Sequence, residues 1–218
     1  NTQLAENNGR LLFSGMPSAL NEQRNFELYL RQLGIVNETN GVLIFDTLDS
    51  ALEWMEEQIL DAHGFTDRQD ETVSLEDTKM FHEFGQESID RLRACGREFS
   101  LKAGEKLFSR GDGGDELFIV LSGSVAFYLP LERGKRHHLD TAGPGSVMGE
   151  VVFLDQTVRA ADAVAKTDCR LFGLSRARFD EALHDRPDIR ASAYASLALI
   201  IGERLRQTGK QLQALEER

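Results

Sequence analysis

At about residue 97 the hydrophobic pattern of the chain changes, and the new pattern is compatible with few folds. Short β-favouring runs now alternate with turns that contain glycine, at 103–104, 111–114 and 122–123. Strands at such regular, short spacing are typical of small antiparallel barrels and sandwiches. The segment "ELFIVLSGSVAFYL" predicts a tight hairpin about Ser122 and Gly123. Helices are predicted at 175–185 and from Pro187 to about residue 216.

The first 62 residues follow a different pattern, in which two apolar runs are each followed by an amphipathic helix. The runs are 10–16 and 41–47, and the helices follow at Ser18–Leu33 and 48–60. This βαβα order predicts a parallel sheet covered by helices. Because two strands do not make such a sheet alone, we expect further strands upstream of Asn1.

The domain organisation follows from these two patterns. Residues 1–62 are predicted to form one α/β segment, and the polar, acidic residues 63–79 a linker. Residues 80–218 are predicted to form the second domain, which begins with a helix at 80–96. The chain does not begin with Met, and we interpret it as a fragment of a longer protein.

The charge is unevenly distributed. Residues 1–100 carry 19 acidic and 8 basic side chains, whereas residues 101–218 carry 17 of each. This acidic balance argues against nucleic acid as a partner, because phosphate backbones are bound by clustered Lys and Arg. No apolar run is long enough to cross a bilayer, and the composition is typical of a soluble chain.

The residues of greatest functional interest lie in "AGPGSVMGEVVFLDQTVRAADAVA", at 142–165. Glu150 and Arg159 are charged residues among apolar ones, where an unpaired charge is costly to desolvate. Either they pair with each other or they bind something charged from outside. "GEVVFL" predicts a short helical turn, whose N-terminus favours an anion, and Arg159 suits phosphate oxygens. Glu150 suits a sugar hydroxyl, so the pattern indicates a small ligand with one phosphate beside one hydroxyl.

Three runs, "GDGGDELFIVLSGSVAFYL", "LDTAGPGSVMGEVVFL" and "VRAADAVA", resemble the cyclic nucleotide-binding domain over residues 80–216. The resemblance implies an α+β fold, with an antiparallel β-roll or jelly roll and flanking helices. It implies that Glu150 binds the ribose 2′-hydroxyl, that Arg159 binds the cyclic phosphate, and that the long C-terminal helix can act as a lid. The ligand-binding residues it implies are Met148, Gly149, Glu150, Val151, Arg159, Ala160 and Ala161.

The sequence departs from the family pattern at three positions. Val158 stands where the family usually has Pro, Met148 where it often has Phe, and Asp162 where it often has Thr. Asp162 is therefore expected to add an acid near the phosphate site. Members with Thr or Ser at the position of Ala160 often prefer cGMP, so Ala160 favours cAMP as the regulatory ligand.

Residues 10–62 resemble the second half of a STAS domain, as found at the C-terminus of SulP-type anion transporters. This resemblance implies an upstream membrane transport domain on the same polypeptide and a location on the cytoplasmic face of the inner membrane. The function then predicted is gating of an anion transporter, such as a sulfate transporter, by a cyclic nucleotide. A soluble two-domain regulator is the alternative.

No arrangement of residues indicates catalysis, a metal site or a cofactor. His137 and His138 are adjacent on a predicted strand, so their side chains point to opposite faces. A stripe along the last helix has coiled-coil-like spacing and predicts a lid, a homodimer seam or both. It consists of Tyr194, Leu197, Ile201, Leu205, Thr208, Leu212 and Leu215. A second function remains open, in which the ligand site is empty and the domain is a structural or dimerisation module.

Overall fold

The fold was analysed in a computed structural model of the chain. The structure describes residues 9–15, 26–36, 41–45, 48–62, 71–81, 84–131 and 136–216. The chain divides into two compact units, residues 1–67 and 68–218, and each is described by itself.

The first unit has two strands and two helices in alternation. These elements are β1 (Leu11–Ser14), α1 (Phe26–Gln32), β2 (Val42–Phe45) and α2 (Leu48–Ala62). The strands pair in parallel, with Leu11 opposite Val42, which confirms the parallel arrangement predicted from the sequence. Leu30, Val36 and Val42 are the buried centre of this unit. The predicted start of the first helix, at Ser18, lies outside the described residues.

The second unit contains two four-stranded antiparallel sheets with helices beside them, as the sequence predicted. Its strands are β3 (Arg97–Leu101), β4 (Lys106–Phe108), β5 (Glu116–Ser122), β6 (Val125–Pro130), β7 (Arg136–Ala142), β8 (Val147–Met148), β9 (Asp162–Ala165) and β10 (Cys169–Ser175). Its helices are α3 (Gln86–Cys95), α4 (Glu150–Asp155), α5 (Arg176–Ala182) and α6 (Pro187–Glu216). The strand orders are β3-β10-β5-β8 and β4-β9-β6-β7.

The predicted hairpin of β5 and β6 is wrong. The two strands follow each other directly, but β5 pairs with β10 and β8, whereas β6 pairs with β7 and β9. Gly123, at a φ of 75°, lets the chain cross from one sheet to the other. A Cβ on Gly123 would collide with the carbonyl oxygen of Asp168, so the crossing is too tight for any other residue.

Two hydrophobic clusters stabilise the second unit. The larger lies between the β5-β10 sheet and the helices, and includes Phe153, Phe172, Phe179 and Leu197. The smaller lies between the two sheets, and Met148 and Phe118 belong to it.

Part of the predicted linker packs into the larger cluster. Leu75, which the sequence assigned to a linker of residues 63–79, is 2% exposed and contacts this cluster. The residues around Leu75 are polar and acidic, a composition that predicts a linker, and Met80 and Phe81 are in the segment predicted as a helix. Turns occupy residues 75–81 instead, and the helix begins at Gln86.

The long helix α6 is buried along one face in its first half and is exposed in its second half. Of the predicted stripe, Leu197 is fully buried and Tyr194 and Ile201 are partly buried, whereas Leu205 is 72% exposed. The described part of the predicted stripe therefore divides into a core part and a solvent part. Within the described residues, no helix is long and apolar enough to span a membrane.

Candidate functional site

The Gly149-Glu150 turn connects β8 to α4. Gly149 adopts φ 76° and ψ 11°, a left-handed conformation that L-residues with a side chain rarely adopt. A Cβ at this position would collide with Nη1 of Arg159 and lie 2.9 Å from the carbonyl oxygen of Glu116. Glycine is therefore required both by the backbone turn and by the close approach of Arg159.

Arg159 extends into the interior beneath this turn and is 5% exposed. Its Nη2 donates to the carbonyl oxygen of Glu116 at 2.8 Å. Its guanidinium carbon lies 4.3 Å from the centre of the Phe108 ring and 5.4 Å from that of Phe118, a cation–π arrangement. Nη1 is buried and has no hydrogen-bond partner.

The charge of Arg159 is held in an apolar setting. Desolvation lowers the pKa of Arg159, and the negative charges of Glu116 and Asp115 oppose that effect. Arginine stays protonated in proteins, so the group is a desolvated cation with unused N–H donors. Such a group binds an anion strongly, because charge-assisted hydrogen bonds are short and bidentate contacts add to them.

Glu150 is 4% exposed, and its partner is Arg204 on α6. Nη1 of Arg204 donates to Oε1 of Glu150 at 2.6 Å, and Nη2 donates to the carbonyl oxygen of Val147 at 2.8 Å. The alternative in which Glu150 and Arg159 pair with each other is therefore wrong. Among the residues that the structure describes, no carboxylate forms an ion pair with Arg159.

The remaining predicted site residues surround these two. Met148 is fully buried and packs in the smaller cluster, and Ala161 is 9% exposed. Val151 and Ala160, which follow Glu150 and Arg159 in the sequence, are exposed. The structure thus brings the predicted residues to one end of the sheets, and their contact with a ligand stays a prediction.

Two departures from the family pattern have a structural explanation. Asp162 accepts hydrogen bonds from the backbone N–H of Arg110 at 2.8 Å and from Nζ of Lys106 at 3.1 Å, and these bonds lower its pKa. Its charge is therefore compensated by Lys106. Beside Val158, the backbone N–H of Arg159 donates to the carbonyl of Asp112 at 2.9 Å, which holds this loop without a proline.

The sequence did not indicate the role of Arg204, Phe108 or Phe118. Each contacts the site from an element distant along the chain, and Arg204 lies in a helical pattern with several other basic residues. Within the described ranges, no group of His, Cys, Asp and Glu side chains is arranged to hold a metal ion.

A comparison with family models matches residues 98–186 to the cyclic nucleotide-binding domain. The second unit contains a cyclic nucleotide-binding domain. The N-terminal domain of a transcriptional regulator from Streptomyces coelicolor A3(2) has the same fold, with a TM-score of 0.53 and 28% identity, over 63% of this chain and 94% of that structure.

Two curated relatives extend this comparison. The Cyclic AMP receptor protein of Thermus thermophilus is 28% identical over 141 residues, which are 65% of this chain and 63% of the relative. Glutaminase 1 of Bradyrhizobium diazoefficiens is 28% identical over 203 residues, which are 93% of this chain and 31% of the relative. The chain thus spans less than two thirds of the length of either relative.

Proposed function

We propose that the cyclic nucleotide-binding domain of this chain is a sensor that binds cAMP in preference to cGMP. The observation that carries the proposal is the buried guanidinium of Arg159, whose Nη1 has no partner beside the Gly149 turn. Burying a cation with an unsatisfied N–H donor costs free energy, and an anion that accepts a hydrogen bond from the donor offsets this cost. A cyclic phosphate supplies that anion.

The ligand is oriented by the groups around Arg159. The phosphate binds to Arg159 and to the backbone N–H groups of residues 149–151, which lie at the start of α4 and have no partner within the helix. The ribose hydroxyl donates to Glu150, since an ionised carboxylate only accepts. Ala160 lacks the hydroxyl that cGMP-preferring members of the family often carry there, and one relative is named a cyclic AMP receptor.

Binding regulates an attached domain rather than a reaction in this region. The ligand is bound without turnover, and no cofactor is needed. The resemblance of residues 10–62 to a STAS domain supports a SulP-type anion transporter as the output, at the cytoplasmic face of the inner membrane. The match of 93% of this chain to a glutaminase favours that enzyme as the alternative output. Anion uptake and glutamine hydrolysis, each measured with and without cAMP, separate the two.

A homodimer is part of the same proposal. Leu205, a member of the predicted stripe, exposes its apolar side chain on α6, where a second copy would cover it. We expect no nucleic acid partner, because the net charge of −11 disfavours binding to a phosphate backbone.

Calorimetric titration of the 218-residue chain with cAMP and cGMP tests the sensor. We expect saturable binding of cAMP that is tighter than binding of cGMP. Arg159→Ala should weaken binding by at least about tenfold, because a hydrogen bond to a charged group contributes about 1.5–3 kcal/mol.

Arg110→Ala is the matched control, since it removes an exposed positive charge from the neighbouring loop. Its affinity for cAMP should stay near that of the unaltered chain. Equal weakening by both substitutions would mean that the charge of the loop, not the geometry of Arg159, attracts the nucleotide. No heat with either nucleotide at millimolar concentration would leave the alternative function, a structural or dimerisation module.

A further inference from the structure

Two aromatic rings lie against the guanidinium of Arg159, one from each sheet. The guanidinium carbon lies 4.3 Å from the centre of the Phe108 ring on β4 and 5.4 Å from the centre of the Phe118 ring on β5. These strands belong to different sheets. Nη2 also donates to the carbonyl oxygen of Glu116 at 2.8 Å. The surroundings of this buried cation are therefore two apolar rings and a neutral acceptor.

A ring and a carboxylate stabilise a guanidinium in different ways. A carboxylate accepts hydrogen bonds from the N–H groups at the edge of the guanidinium plane. A ring attracts the charge through its electron-rich face and leaves those N–H groups available. Arg97 lies 4.4 Å from the centre of the Phe99 ring and also pairs with the carboxylate of Glu116 at 3.2 Å. Arg159 has its rings without such a pair among the described residues, so its Nη1 keeps a free donor.

The absence of an ion pair needs a cause, because carboxylates are near. Desolvation lowers the pKa of Arg159, while the negative charges of Glu116 and Asp115 raise it. Within the described part of the chain, neither carboxylate pairs with Arg159. A guanidinium that could move freely would bind one of them, and a phosphate would then have to compete with that carboxylate. The rings therefore occupy the position that decides which partner Arg159 meets.

The Phe108 ring is itself fixed by other rings of the smaller cluster. It stacks with Phe118 at 6.1 Å between ring centres and an interplanar angle of 29°, and the Phe127 ring lies 6.4 Å from it. Phe99 packs edge-on against Phe118 at 6.1 Å. Because Phe108 has ring neighbours on strands of both sheets, its own position is set by the core. The ring can therefore position the guanidinium.

We propose that Phe108 is a positioning residue for the anion, whose ring face keeps the guanidinium of Arg159 beside the Gly149 turn and out of reach of the neighbouring carboxylates. Phe118 supports the same position from the second sheet. The inference rests on the proposed function, in that Arg159 binds the cyclic phosphate. The phosphate then meets a guanidinium that is already in place, so less ordering accompanies binding.

Titration of the 218-residue chain with cAMP tests the inference through a matched pair of variants. Phe108→Leu should weaken binding about fivefold or more, the value expected from loss of a desolvated cation–π contact. Phe127→Leu removes a ring that is also half-buried in the smaller cluster but does not contact Arg159, and it should bind as the unaltered chain does. Phe108→Tyr keeps the aromatic face and should restore binding. Equal weakening by both leucine variants would overturn the inference, because packing alone would then explain the loss.

Ring fluorination tests the face of Phe108 without removing its packing, and it guards against misfolding of the leucine variant. Fluorine withdraws electron density from the face of the ring and nearly preserves its shape, so the attraction for a cation falls with each fluorine. Replacement of Phe108 by phenylalanines with one, two and three ring fluorines should weaken cAMP binding step by step. The same replacements of Phe127 should not. Equal affinity across the Phe108 series, or tighter binding by Phe108→Leu, would overturn the inference.

A measurement without ligand separates this inference from the proposed function. A ring shields the N–H protons above its face, and the Nε–H signal of Arg159 is identified in proton–nitrogen NMR spectra by its loss in Arg159→Ala. This signal should move to lower field in Phe108→Leu and stay in place in Phe127→Leu. If the unaltered chain binds cAMP but the signal does not move, the positioning role alone is overturned. If no chain binds a cyclic nucleotide, the sensor is overturned, and the signal still decides whether Phe108 positions Arg159.

Discussion

At the scale of single residues, the two buried charges of the site are compensated in different ways. Glu150 has a full ionic partner in Arg204. Arg159 has one carbonyl, two aromatic faces and an Nη1 without a partner. The charge of Glu150 is therefore neutralised within the domain, whereas Arg159 keeps an N–H donor without an acceptor. This asymmetry is the physical reason to expect an anion at Arg159.

Gly149, which leaves room for the guanidinium of Arg159, can be tested by substitution, and Gly104 serves as the control. Gly149 and Gly104 both have positive φ, at 76° and 86°, but a Cβ at Gly104 would meet nothing within 4 Å. Gly104→Ala should lower the free energy of unfolding by roughly 1–2 kcal/mol, the cost of a left-handed L-residue. Gly149→Ala should cost at least about 1 kcal/mol more, because its Cβ also displaces Arg159.

Urea unfolding and titration with cAMP of the two variants check this prediction. Only Gly149→Ala should lose nucleotide binding, since only there does the guanidinium move. Equal destabilisation of the two variants would contradict the close approach of Arg159 to the turn.

The sequence allowed prediction of Glu150 and Arg159 because both lie within one short motif, whose glycines and apolar neighbours are local features. It did not allow prediction of their partners. Arg204 is 54 residues from Glu150, and Phe108 lies on a strand of the other sheet from Phe118. Contacts of this kind depend on how the sheets and α6 pack, which hydrophobic periodicity does not encode.

At the scale of elements, the strands and helices were predictable and some of their pairings were not. The short helix α4 and the long helix α6 were predicted from glycine, proline and apolar spacing. β5 and β6 were predicted as a hairpin, because a Ser-Gly turn between apolar runs is the usual hairpin pattern. β5 is buried along almost its whole length and β6 is buried at Val125 and Ala126, so the apolar pattern of the two strands does not reveal which neighbours each pairs with.

The segment of residues 71–81 is attached to α3 by an ion pair that gives a pH prediction. Nη2 of Arg93 donates to Glu76 at 2.6 Å. A hydrogen bond from its own backbone N–H, and then the bond from Arg93, lower the pKa of Glu76 from 4.5 to about 2. A depressed pKa adds stability above the unfolded value, and this stability is lost as the pH falls through the folded value.

Glu76→Gln should therefore destabilise the domain most at neutral pH, and the difference from the unaltered chain should shrink as the pH falls from 4.5 to about 2. Urea unfolding at a series of pH values measures it. Glu87→Gln, which removes an exposed pair with Arg91 on α3, should have a small effect at every pH. A Glu76→Gln difference that does not vary with pH would show that the ion pair does not stabilise the segment.

At the scale of the whole molecule, the chain is two units with different charge and different cores. Residues 1–67 carry 11 acidic and 3 basic side chains and residues 68–218 carry 25 and 22, while the site and both large clusters lie in the second unit. The members of those clusters all fall between Leu75 and Leu197. Among the described residues, the second unit therefore has a hydrophobic core of its own, which is the property of a domain that can fold alone.

We expect residues 68–218 to fold and to bind cAMP without the first unit. Scanning calorimetry should give one cooperative transition for the fragment, at the temperature of the matching transition in the full chain, because the same core melts in both. Titration should give the same affinity for cAMP, since Arg159, Glu150 and Arg204 are all retained. A fragment that folds but binds cAMP with a different affinity would contradict the expectation that the site functions without the first unit. A fragment that does not fold would contradict the independence of the second core.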